Sequence, residues 1–392
     1  MNQHAKLKVA SGHNSATRMA ALHEKTARLN FFEFWGDDPA DEHQATNRLR
    51  SDTKPAVPYL WKYSDALPVL MEAAELIPME ISERRSIILA NPALAPKIAT
   101  VTTLIAAYRI NMPHELMPPH RHSPNAIRFG LTGNTNFTGV NGENITFGPG
   151  DLVLTPHDTW HNHGNGPEKA SVNLSVLDMP LVNILNATYF DFDYKEKEGD
   201  TFVAKKIQRS RVSDDYSQRM YGTGGLVPRF INHSRGAGTS SPMFVYRWES
   251  TEKLLRRLHD HEGSPYDGIL VEFTNPVTGE PVYKTMTFFM QMLRPGEKLR
   301  QVRQNTSQIC TVYSGRGHTV IGGKRFDWEP FDTFCIPGGE WYEHSNADSS
   351  EDAVFFVSSD EPTLRKLGFA MKHGKLPSGE TVLLETSTHS EA

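Results

Sequence analysis

Apolar positions recur at two different periods along the chain, and the change of period divides it. From Thr17 to Leu29, Met19, Leu22 and Leu29 fall on or near one stripe, which predicts a helix. A second helical period covers Asp65–Leu76, with Ser64 as the expected N-cap. A third covers 250–262, with Leu254, Leu255 and Leu258 on one side. Elsewhere the apolar runs are short and broken by Gly, Pro and Asn. Residues 99–112 alternate and end at Met112–Pro113, which predicts a strand with Ile105, Ala107 and Arg109 on one face. Asn141–Gly142, between two alternating runs, signals a type I′ hairpin. Gly148–Pro149–Gly150–Asp151 is a tight turn ahead of the apolar run Leu152–Thr155. Many short strands with frequent turn signals predict a mainly β fold.

The strand pattern occurs twice. Gly133 matches Gly315 at an offset of 182, while Gly142, Asp151, Pro156 and Trp160 match Gly323, Asp332, Pro337 and Trp341 at 181. One residue is dropped between Gly315 and Thr319, and similarity kept across so small a deletion implies an internal duplication. The expected organisation is a helical and extended arm over 1–98, a barrel over 99–180, a linker and excursion over 181–282, a second barrel over 283–360 and a polar tail over 361–392. The aromatic run Phe31–Trp35 reads as packing.

Candidate chemistry lies in the first copy. His120 and His122 are two apart, so a strand presents both on one face, and His161 comes from a later strand. Three imidazoles converging in this way suit a transition metal. The second copy has Val302, Gln304 and Tyr342 at these positions, with His344 alone matching His163, so the second barrel reads as structural. Three neutral imidazoles would leave a divalent metal its full charge, with open positions for an anionic chelating substrate and O2. Ferrous iron suits that task. Zinc has no redox chemistry, although three His and a water also describe a hydrolytic or hydrating site. His163 is a candidate acid/base or hydrogen-bond partner. Arg128 shares the parity of the histidine pair and could bind a carboxylate bidentately. Arg84 and Arg85 enter an apolar strand on opposite faces, so at most one faces a pocket. Asp178 reads as a structural residue.

Composition narrows the classes. The 392 residues carry a formal charge of −5, which gives no basic field for nucleic acid. Two Cys do not make a disulfide scaffold. No apolar run approaches the roughly 18 residues of a membrane span, and the polar start predicts no signal peptide, so a cytoplasmic protein is expected.

The order His-x-His, Gly-Asp turn, Pro, His, Asn resembles the two cupin motifs. More narrowly, Glu83–Arg84–Arg85 with Ala90–Asn91–Pro92, Pro119–His120–Arg121–His122–Ser123, Ala126–Ile127–Arg128–Phe129, Trp160–His161–Asn162–His163–Gly164–Asn165 and Leu177–Asp178–Met179–Pro180 resemble the gentisate 1,2-dioxygenase family of bicupins, which includes salicylate and 1-hydroxy-2-naphthoate dioxygenases. The Glu that many cupins add after His-x-His is absent; Asn125, Ala126 and Ile127 stand there. The resemblance implies a bicupin of two double-stranded β-helix barrels with an N-terminal helical extension. It implies Fe(II) on His120, His122 and His161, and substrate contacts from Arg84, Arg128 and His163. It also implies O2 insertion between the carboxyl- and hydroxyl-bearing carbons of gentisate, giving maleylpyruvate, and a homotetramer. Arg109 and Ser175 stand where members often have Gln and Asp. With Ile105 they are counted as substrate-pocket residues, and the two changes make the pocket less negative or more positive. The alternatives are cleavage of salicylate, a substituted salicylate or 1-hydroxy-2-naphthoate, a zinc or manganese isomerase or hydrolase, and a non-catalytic cupin.

Overall fold

The computed structural model describes residues 13–31, 55–79, 85–228 and 238–387. The chain forms two compact units, 1–54 and 55–392. In the first, α1 spans His13–Arg28, starting earlier than the expected Thr17. Phe32–Trp35 lie outside the described residues.

The second unit opens with β1 (Tyr59–Trp61), α2 (Tyr63–Leu76) and β2 (Ser86–Ile88). The first barrel follows as β3 (Ile105–Asn111), β4 (Leu116–His122), β5 (Ala126–Thr132), β6 (Asn136–Val140), β7 (Glu143–Phe147), β8 (Leu152–Thr155), β9 (His161–Asn165) and β10 (Ser171–Leu177). Then come α3 (Met179–Ile184), β11 (Phe190–Asp191), β12 (Lys195–Glu198), β13 (Thr201–Ala204), α4 (Tyr216–Tyr221), β14 (Val245–Tyr246), α5 (Trp248–Leu258) and β15 (Ile269–Glu272). The second barrel runs through β16 (Thr287–Leu293), β17 (Val302–Gln304), β18 (Gln308–Ser314), β19 (Gly317–Ile321), β20 (Lys324–Trp328), β21 (Thr333–Ile336), β22 (Trp341–Asn346) and β23 (Ala353–Ser359). It is followed by α6 (Glu361–Lys366), β24 (Met371–Lys375) and β25 (Thr381–Thr386).

Each barrel is a pair of antiparallel sheets. The first pairs β14-β8-β5-β10-β3-β2 with β11-β4-β9-β6-β7, and the second pairs β1-β21-β18-β23-β16-β15 with β20-β19-β22-β17-β24-β25. The hairpin at Asn141–Gly142 is as expected: both residues have positive φ, 49° and 83°, the geometry of a type I′ turn. The apolar faces of the β14-β8-β5-β10-β3-β2 and β1-β21-β18-β23-β16-β15 sheets meet in one core, where the Phe129 ring stacks on Phe356 at 4.0 Å.

The duplication is larger than the sequence shows. β1 and α2 match β14 and α5, and each pair packs on the opposite barrel. Trp61 of β1 pairs with Thr333 of β21, and Val245 of β14 pairs with Val153 of β8. Tyr63 N and Lys62 Nζ donate to Asp332, both at 2.8 Å. Trp248 N and Arg247 Nη1 donate to Asp151 at 2.8 and 2.9 Å. The turn aspartate of each barrel, Asp151 or Asp332, therefore caps a helix supplied by the other repeat, with a carboxylate at the positive end of the helix dipole. Gly150 allows this approach: its φ is +82°, and a Cβ there would lie 2.6 Å from the Trp248 ring.

This capping corrects two expectations. Lys62 occupies the N-cap position of α2 and Ser64 lies inside the helix, because the cap comes from Asp332 rather than from a local side chain. α5 starts at Trp248 and buries Leu255, whereas Leu254 is exposed. The strand expected over 99–112 is shorter, Ile105–Asn111. Residues 181–282, read as a linker, supply edge strands to both barrels, and residues 361–392, read as a tail, supply α6 and two strands of the second barrel. These segments are too short and polar to show a strand period. They gain their backbone partners only from sheet edges already formed.

A reciprocal pair of carboxylates joins the barrels. Asp178 accepts from Asn125 N at 2.8 Å and from Thr285 Oγ1 of the other repeat. Asp360 accepts from Ser307 N at 2.7 Å and from Thr103 Oγ1. All three residues of each set match at the same offset of 182. Burial pushes both carboxyls up, Asp360 to about 6. The folded chain then binds a proton that the unfolded chain, with its ordinary value near about 4, has released. The contribution of Asp360 to stability therefore falls by about 3 kcal/mol as pH climbs from about 4 to about 6 and is flat above, and Asp178 acts in the same direction. Urea unfolding of wild type and Asp360→Asn across this window should show the gap between them change by that amount; parallel curves would refute the assignment.

Candidate metal centre

Three neighbouring strands build the centre. β4 carries Pro118–Pro119 directly ahead of its histidines. Prolines donate nothing to a ladder, and the pairing with β9 shifts register between Met117 and His120. After the shift His120 lies opposite His161, while His163 lies opposite Thr138 of β6. Side-chain alternation turns His120, His122, His161 and His163 inward together, and all four are buried. The His161 ring centroid is 4.3 Å from His120, 4.7 Å from His122 and 5.3 Å from His163.

Hydrogen bonds fix the tautomers. Nδ1 of His120, His122 and His161 lies on the carbonyl of Pro118, Pro124 and Thr159 at 3.2, 2.8 and 2.8 Å. A carbonyl only accepts, so each Nδ1 carries the proton and each Nε2 keeps the lone pair. His161 Nε2 is buried without a hydrogen-bond partner, the state of a nitrogen that fits a metal. His163 differs. Arg128 Nη2, which can only donate, sits 3.1 Å from its Nε2, and Thr138 Oγ1 lies 3.0 Å from Nδ1.

By distance alone, His120, His161 and His163 form a group whose nitrogens lie within 4.8 Å of one another, which could hold a metal. The expected trio had His122 in place of His163. The two differ in their hydrogen bonds: both nitrogens of His163 are engaged by protein side chains, while His122 Nδ1 lies on a backbone carbonyl. Burial, then the charges of His120 and His122, holds the His161 imidazole well below its ordinary range; for His163 the causes are burial, then Arg128 and Arg109. Both rings are neutral at neutral pH.

A cavity of about 220 Å³ opens beside the histidines. His120, His122, Ile105, Ala107, Arg109, Arg128 and Ser175 line it, together with Leu177, Met179 and Phe190. Ser175 of β10 lies between Ala107 of β3 and Arg128 of β5, so the parity read from the sequence brings these side chains together. Arg128 also donates through Nη1 to Ile127 O at 2.8 Å, and Arg109 Nε donates to Asn111 Oδ1 at 3.2 Å. Both guanidinium groups are buried, and no carboxylate lines the cavity among the described residues. Arg85 is buried elsewhere, paired with Glu115 and donating to Ala74 O and Ile77 O, so it serves packing. Arg84 lies outside the described residues.

Two residues were missed in the sequence. Phe190 meets His122 edge-on at 5.6 Å and Phe192 stacks near His120 at 6.0 Å. They stand in the segment read as a linker, and its alternating aromatics, Phe190 and Phe192, were the available signal. The second barrel differs from the first at the matching positions. Cys310 and Gln291 replace Arg128 and Arg109, and Val302, Cys310 and Tyr342 fill an apolar core. His344 keeps only the counterpart of the Thr138 contact, Thr319 Oγ1 at 2.8 Å.

A cupin-domain family model matches residues 110–177 and 289–359, one copy in each barrel. Over 365 residues the chain is 35% identical to a 5-aminosalicylate 1,2-dioxygenase of a Comamonas species, covering 90% of this chain and 89% of the relative. It is also 35% identical to gentisate 1,2-dioxygenase 1 of Aquipseudomonas alcaligenes, covering 81% and 88%. The salicylate 1,2-dioxygenase crystal structure from Pseudaminobacter salicylatoxidans superposes with a TM-score of 0.77 at 26% identity, over 94% of this chain and 99% of that one. With two cupin barrels, a histidine cluster in one of them and relatives of this identity over most of its length, the chain belongs to the gentisate 1,2-dioxygenase family of bicupin ring-cleaving oxidoreductases.

Proposed function

We propose that His120, His122 and His161 hold a ferrous ion through Nε2 and that the protein cleaves the ring of a small aromatic 2-hydroxycarboxylate with O2. The bond opened lies between the carboxyl- and hydroxyl-bearing carbons, and gentisate giving maleylpyruvate is the leading reaction. The carrying observation is one cavity that joins the histidine cluster to two buried arginines and has no carboxylate among its described lining residues. An anion is the charge such a cavity favours. Bound iron would supply the one-electron chemistry that lets an aromatic ring react with O2.

The protein's own groups divide the remaining work. Arg128 is held on one side by Ile127 O and His163. Its orientation is thus set before substrate arrives, and it receives the carboxylate. Arg109, steadied by Asn111, adds a second positive charge, with Ser175 and Ile105 shaping the wall. Arg84 is proposed as a further carboxylate contact. His163, neutral and with its proton on Nδ1, accepts from Arg128 through Nε2 and acts as the hydrogen-bond partner that holds the guanidinium for the substrate carboxylate. Phe190 and Phe192 shield the cluster from water. A homotetramer is the proposed assembly. Among the described residues no helix is long and apolar enough to cross a membrane.

Salicylate, 5-substituted salicylates and 1-hydroxy-2-naphthoate are the competing substrates. One relative is named for 5-aminosalicylate, another for 1-hydroxy-2-naphthoate, and a salicylate dioxygenase structure carries gentisate adducts. Oxygen uptake by anaerobically iron-loaded protein should be measured with each. Gentisate is expected to give the highest kcat/KM, and Arg128→Lys should lower it by about 10- to 100-fold, the worth of a bidentate charge-assisted contact. No uptake with any 2-hydroxyarenecarboxylate would overturn the proposal.

A further inference from the structure

We propose that the second barrel is a binding site for a small uncharged molecule bearing a carbonyl or amide oxygen. A cavity of about 160 Å³ opens there, at the counterpart of the first barrel's cavity. Gln304, which stands where the first barrel has His122, and Thr306 both line it. Their exposures are 7% and 3%, and Gln304 Nε2 and Thr306 Oγ1 are buried with no hydrogen-bond partner. Two buried polar atoms left open beside one cavity need a partner that the protein does not provide.

The surrounding charges define that partner. Arg365 is closed by Glu361 at 2.6 Å and Glu385 at 3.2 Å, and Lys372 by both oxygens of Asp267 at 2.9 and 2.8 Å. Each cation already has its counter-charge, so an anion entering here gains no net attraction and loses its hydration. The first cavity, with two arginines and no lining carboxylate, is the opposite case. An uncharged acceptor oxygen would take hydrogens from Gln304 and Thr306, while Leu270, Phe289 and Met371 cover an apolar body. This site is independent of the reaction in the first barrel.

Crystals of the full chain soaked in 4-bromobenzamide or 4-bromobenzoate would locate the bromine by anomalous scattering. The amide is expected in the second barrel with its oxygen at Gln304 and Thr306, and the benzoate is not expected there. Calorimetry in solution should show the second-barrel affinity for the amide falling about tenfold or more in Thr306→Val and in Gln304→Leu. Oxygen uptake by both variants should stay at the wild-type level, which shows that they fold. Ordered water alone on the two side chains, bromine only in the first barrel, equal occupancy by the benzoate, or unchanged affinity in the variants would each overturn the proposal.

Discussion

His161→Ala should lose its metal, while His344→Ala should keep it. Both substitutions remove a buried imidazole from a barrel interior, so the cost of the hole is similar in each. Of the two, His161 presents an unpartnered Nε2 within a cluster of imidazoles, whereas His344 has Thr319 and, among the described residues, no second histidine in ring contact. Disturbing the groups that merely support a ligand weakens metal binding about 10- to 100-fold, and removing the ligand itself should reach at least the upper end of that range. Oxygen uptake should fall in parallel, even with excess iron. Metal analysis after gel filtration decides the matter, and a His161→Ala protein with a full complement of metal would show that the cluster is not a metal site.

Loss of Asp178 should damage both stability and metal affinity. Its carboxylate receives Asn125 N, Asn125 Nδ2 and Thr285 Oγ1. Asn125 Oδ1 in turn holds His157 N at 2.9 Å, and Pro124 O of the same loop orients His122. Asp178→Ala leaves Asn125 N and Thr285 Oγ1 without this acceptor, while Asn125 Nδ2 keeps Thr285 Oγ1 at 3.2 Å, and should cost about 2 kcal/mol or more. The loosened loop should lower metal affinity about 10- to 100-fold through His122. Asp178→Asn, which can still accept from Asn125 N, should recover part of both. If unfolding free energy drops while metal affinity is untouched, Asp178 joins the barrels but does not position His122.

What the sequence determined by itself is whatever local spacing or repetition encodes. Period-two alternation put Ile105, Ala107 and Arg109 on one strand face, and His120 with His122 on another, because alternation is a property of any extended backbone. The turn at Asn141–Gly142 was legible because few residues tolerate two successive positive φ angles. The repeat was legible wherever glycine, aspartate and proline mark its turns.

What only the tertiary structure decided depends on partners distant in the chain. Ser64 looked like the cap of α2, but Asp332, far along the chain, caps the helix instead. The exchange of β1–α2 and β14–α5 between repeats leaves no trace in spacing, since either barrel offers the same acceptor. The linker and tail gained strands only where a finished sheet left an edge to pair. The different surroundings of His122 and His163 are likewise tertiary: spacing presents both on the inner face, and only the fold brings Arg128 and Thr138, from other strands, onto the two nitrogens of His163.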